Sequence, residues 1–99
     1  MNDDYSYPLI DGLSNGEVII LVTFFQRVEE AYEKQSGVDR ESFMNAYQDF
    51  VTVVPSKMEQ KQLEKQFQER SGYNAYQVIR QAKQDVKTLK MNEAYNGNK

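Results

Sequence analysis

The chain has 99 residues, 39% of them apolar, and a net charge of −3, which bounds it to a single domain around one core. It contains neither cysteine nor histidine. Disulfides, thiolate chemistry, the commonest general base and the commonest neutral metal ligand are therefore excluded, and catalytic triads and zinc sites typically need one of those residues.

The first segment, YSYPLIDGL over residues 5–13, is too apolar for a free tail. It is expected to lie extended across the bundle, with residues 1–13 as an N-terminal arm. If it does not cover helix 1, a homodimer is the other way to bury that helix. Asp3, Asp4 and Asp11 precede the first basic residue, Arg27, the opposite of a secretory n-region. The chain reads as cytoplasmic and, from its small size, bacterial.

EVIILVTFF at 17–25 is the most apolar stretch. A membrane helix needs roughly 20 apolar residues, so this run is too short to span. Ser14 and Glu17 form a capping-box pattern before it, and Leu21, Phe25, Val28 and Tyr32 follow helical spacing. Gly37 supplies a left-handed stop. The spacing predicts helix 1 over 14–36, central and buried on most sides.

Three further helices follow by the same rules. Asp39 caps helix 2, predicted over 39–54, with Val38 and Phe43 as a hydrophobic staple. Phe43, Tyr47, Phe50 and Val54 form its stripe, and Pro55 ends it. Ser56 and Glu59 open helix 3, predicted over 56–71, whose charged residues alternate with Gln around a narrow stripe of Leu63 and Phe67. Gly72 stops it. Asn74 caps helix 4, predicted over 74–90, with an apolar stripe of Tyr76, Ile79, Ala82, Val86 and Leu89. Residues 91–99 lack periodicity and read as a flexible tail. SGVD at 36–39 and SGYN at 71–74 share one form 35 residues apart, which is how two helices meet closely, with an internal helical repeat as the weaker alternative. The fold class is all-α: a compact four-helix domain with short junctions. Its expected core is Leu21, Phe24, Phe25, Val28, Tyr32, Phe43, Tyr47, Phe50, Val54, Leu63, Phe67, Ile79 and Val86.

Charge is polarised. Residues 1–55 hold ten acids and three bases, net −7, and residues 56–99 hold nine bases and five acids, net +4. Arg80, Lys83, Lys87 and Lys90 step by three, four and three along helix 4, with Tyr73 and Tyr76 above them. A basic stripe with tyrosines can engage a protein partner or hold a phosphate backbone and stack a base. The alternative is a solvated face with cations near a helix C-terminus, where the dipole favours them. Glu29 and Glu33 lie one turn apart on helix 1. Such a pair can bind a divalent ion or move protons, or simply form an exposed acidic face. No phosphate loop or nucleophile elbow is present. The sequence thus points to a non-catalytic interaction protein with no cofactor, no metal and no membrane segment. A protein partner is favoured, and nucleic acid bound by the helix 4 stripe is the alternative.

YSYPL, FFQRVEEAYE, VVPSKMEQKQL and SGYNAYQVI occur in this order from Tyr5 to about Lys83. Together they resemble the YktA-like family, small uncharacterised proteins of Firmicutes. Members often carry Trp where this chain has Leu13. The resemblance implies a compact, cytosolic, all-helical protein, and it implies no activity, cofactor or binding residues.

Overall fold

The computed structural model describes residues 7–91. Among these, four helices are formed: α1 (Asn15–Glu33), α2 (Arg40–Val53), α3 (Lys57–Ser71) and α4 (Ala75–Ala82). Two short strands, β1 (Val38–Asp39) and β2 (Thr88–Leu89), form an antiparallel pair with Val38 opposite Leu89 and Asp39 opposite Thr88. The tail expected over 91–99 lies, from residue 92 on, outside the described residues. Met91 itself is buried in the core.

Local hydrogen bonds start each helix. The Ser14 hydroxyl accepts from the Glu17 amide while the Glu17 carboxylate accepts from the Ser14 amide, a complete capping box. Asp39, Ser56 and Asn74 each accept from the amide three residues on, which satisfies one of the orphan donors at a helix start. α2 stops before Pro55, and the buried Gln60 amide donates to the Val54 carbonyl at 2.7 Å, tying α3 back to the end of α2. Gly72 takes a left-handed φ of 84° and closes α3.

The core is a stack of aromatic rings on α1. Phe24 lies parallel to Phe50 of α2, with ring centroids 4.5 Å apart, and touches Phe43 and Tyr47 as well. Phe25 stacks on Phe67 of α3 at 4.6 Å. Such pairs add about 0.5–1.5 kcal/mol each beyond their area burial. α1 makes its most extensive contact with α2 and also meets α4 and β1. The N-terminal segment packs here too: Pro8 is fully buried, and the Tyr7 ring lies parallel to Phe25 and close to parallel to Phe67.

Three expectations are corrected. α4 ends at Ala82, not 90. There the Arg40 Nε donates to the Ala82 carbonyl at 2.6 Å, and the chain turns to place Thr88 and Leu89 beside Val38 and Asp39. Leu89 reaches the core from a strand. Tyr76 is 54% exposed, because the buried face of α4 is Ala75, Val78, Ile79 and Ala82. Tyr32, Tyr47 and Val86 are half-buried at the edge of the core; Tyr32 there bonds the backbone of Asn74 through its hydroxyl.

The two junctions that look alike in sequence differ in space. At Gly37, φ is 75° and a Cβ would collide with the Leu89 carbonyl oxygen and Lys90 Cγ, whereas at Gly72 a Cβ would meet nothing within 4 Å. Gly37 is a packing requirement of β2, and Gly72 is a helix stop.

Candidate functional site

The basic residues of the C-terminal half do not form one helical stripe. Tyr76 and Arg80 sit on α4 and are exposed, with the Arg80 guanidinium 6.0 Å from the centroid of the Tyr76 ring. Lys83 caps the end of α4. Lys87 and Lys90 flank β2, and the Lys87 carbonyl accepts from the Arg40 amide at 2.9 Å. Tyr73 belongs to the α3–α4 junction and faces the other way, toward α1.

Tyr76 instead borders α3. Lys61, Glu64, Lys65 and Gln68, spaced as one helix face, line an open groove of about 370 Å³ with Asn74 and Tyr76. Burial pushes the Glu64 carboxyl up from its ordinary pKa, with nearby Lys61 pulling the other way. The groove therefore offers two lysines, an exposed aromatic ring backed by an arginine, and a carboxyl biased toward its neutral form. Sequence spacing shows the α3 face, but the approach of Tyr76 to it depends on how α3 and α4 cross.

The acidic pair of helix 1 acquires partners from distant parts of the chain. The Tyr7 hydroxyl donates to Glu29 Oε1 at 2.6 Å, and the Tyr73 hydroxyl donates to Glu33 Oε2 at 2.7 Å. Tyr73 stacks on Tyr32 at 4.7 Å, and the Tyr32 hydroxyl bonds both the carbonyl and the amide of Asn74. Glu30 turns away to Arg27 at 3.2 Å and Lys34 at 3.9 Å. The Glu29 pKa is pushed up to about 7, first by burial and then by the charges of Glu33 and Glu30. Tyr73 is pushed up first by burial, then by its bond to Glu33 and by the charges of Glu33 and Glu29. Glu29 can thus exchange a proton near neutral pH. No group of three or more Asp, Glu, His or Cys among the described residues could hold a metal ion. No helix there is long and apolar enough to cross a membrane.

Residues 4–91 match the family model described as "Uncharacterised protein family (UPF0223)". A UPF0223 protein of Oceanobacillus iheyensis is 48% identical over 80 residues, covering 81% of this chain and 89% of the relative. A Streptococcus thermophilus relative is 49% identical over 80 residues, with 81% and 84% covered. One from Bacillus mycoides is 43% identical over 90 residues, with 89% and 99% covered.

Proposed function

The chain belongs to the uncharacterised protein family UPF0223 of Firmicutes, and on that premise we propose that it is a small, cytoplasmic, non-catalytic interaction protein that binds another protein through a helical surface. The observation that carries this reading is Tyr76. It lies 54% exposed on a short helix whose other apolar residues are buried, with Arg80 over its ring and the α3 groove beside it. Tyr and Arg are the residue types enriched at binding hot spots. Lys61, Lys65 and Arg80 suit a partner segment that carries acidic side chains around an apolar anchor. The absence of His and Cys from the sequence supports a non-catalytic role.

The nucleic-acid reading rests on the same Tyr76–Arg80 pair, extended by Lys83 and Lys87. One experiment separates the two. Tagged wild-type protein and a Tyr76→Ala, Arg80→Glu, Lys65→Glu variant are used as bait in native cytosol, with and without nuclease. A protein that survives nuclease and disappears with the variant supports a protein partner. Capture that disappears with nuclease, and direct RNA binding that falls steeply with salt, supports nucleic acid. Identical capture by both baits refutes this surface.

A further inference from the structure

The apolar run at the start of α1 is only partly covered. Tyr7 packs on Phe25 and bonds Glu29, and the chain re-enters α1 at Ser14, so residues 7–13 return along one edge of the helix to its first turn. The outward line of α1 stays open. Ile19 on that line is 64% exposed, and Leu9 on the returning segment is 44% exposed. Val18 and Val22 are half-buried beside Ile19. Gly16, one turn before Ile19, is exposed, and a Cβ built on it would meet nothing within 4 Å. We propose that this face of α1 binds a second copy of the chain, the two α1 helices packing antiparallel about a two-fold axis with Ile19 of each seated over Gly16 of the other.

Shape and charge both select a second copy. A two-fold contact must be self-complementary: where residue i touches residue j, j touches i. Ile19 and Gly16 are a projecting side chain and a hollow three residues apart, on one face of one helix. An antiparallel pair therefore seats both side chains at once. Asn15, Gly16, Ile19, Thr23 and Gln26 follow the outward line at helical spacing and carry no ionisable group. Such a face offers an oppositely charged partner nothing to recognise, and it spares a chain of net charge −3 from repelling its own copy. Glu29, Glu30 and Glu33 come later on the same helix. Antiparallel packing centred between Gly16 and Ile19 sends these acidic ends in opposite directions, with Glu30 more than about 30 Å from its equivalent along the helices. A parallel pair would set them side by side.

The contact covers about two turns of α1, with Leu9 at its margin, which places it among the small interfaces of weak, reversible dimers. It does not depend on the α3–α4 surface.

The test is sedimentation equilibrium of the full chain from about 20 µM to about 1 mM, with amide NMR shifts followed over the same range. The expected result is a mass that climbs from one chain toward two, with concentration-dependent shifts over residues 9–23 and none over α3 and α4. Ile19→Ser removes the projection and Gly16→Leu fills the hollow, so each should weaken association by at least about tenfold. Gly16→Leu also replaces glycine by a good helix former. It should therefore raise the Tm of the dilute monomer while weakening the dimer, a pairing of effects that misfolding would not produce. Tyr76→Ala, outside this face, should leave association unchanged. The proposal is overturned by a monomer mass at about 1 mM, by association that survives both α1 variants, by association lost in Tyr76→Ala, or by shifts confined to α3 and α4.

Discussion

Replacing Gly37 by Ala should separate β2 from the rest of the protein. Two costs add. The backbone there has φ 75°, which costs an L-residue about 1 kcal/mol or somewhat more. The new Cβ would also collide with the Leu89 carbonyl oxygen and Lys90 Cγ and lie 3.1 Å from the Leu89 carbonyl carbon. Two of these atoms are backbone, so β2 must move. Moving it withdraws the fully buried Leu89 side chain, worth about 1.5–3 kcal/mol. It also strains the bond from the Arg40 amide to the Lys87 carbonyl, worth about 1 kcal/mol. The total is about 3–5 kcal/mol, or a fall in Tm of at least about 12 °C for a domain of this size. Gly72→Ala is the control: its φ is 84° but the space around it is open, so only the conformational term of about 1 kcal/mol applies. Urea unfolding of both variants gives the comparison. Equal losses would show that β2 does not press on Gly37 and would refute the reasoning.

Other outcomes follow from the same geometry. Phe50→Ala removes the ring stacked on Phe24 at 4.5 Å and should cost about 3–5 kcal/mol in denaturant unfolding; a loss below about 1 kcal/mol would contradict its place in the core. Arg40→Met keeps the aliphatic stem but removes the donor to Ala82. It should cost about 1–2 kcal/mol, with hydrogen exchange accelerated mainly over residues 83–89; uniform acceleration would deny the cap. Glu29 is half in water, so its raised pKa is worth only about 1 kcal/mol after screening. Because the folded value lies above the unfolded one, that stability is complete below about pH 4.5 and is lost as pH rises through about 7. Glu29→Gln should therefore be the more stable protein at pH 8, and a wild-type advantage there would reverse the sign. Tyr76→Ala should change stability by less than about 0.5 kcal/mol, as expected of an exposed side chain; a larger loss would make Tyr76 a structural residue.

What the sequence determined by itself is where helices begin and which faces are apolar. Ser14, Asp39, Ser56 and Asn74 cap through bonds three residues long, and Pro55 and Gly72 stop helices through their own backbone chemistry. These effects are local, so they are readable in a string of residues. The period of Leu21, Phe25, Val28, Phe43, Phe50, Leu63 and Phe67 likewise announces the core. Tertiary structure alone decided the rest. Helical spacing continues through Lys83, Lys87 and Lys90, but the chain leaves the helix because Arg40 terminates it and Val38 offers a strand edge to Leu89. Tyr76 fits a core stripe by count, yet the orientation of α4 buries Ala75 and Val78 instead. The acidic pair was visible, but its tyrosine partners were not, for Tyr7 and Tyr73 lie 22 and 40 residues from the carboxylates they bond. Contacts at that separation depend on how whole helices cross, which is set by the summed packing of the core.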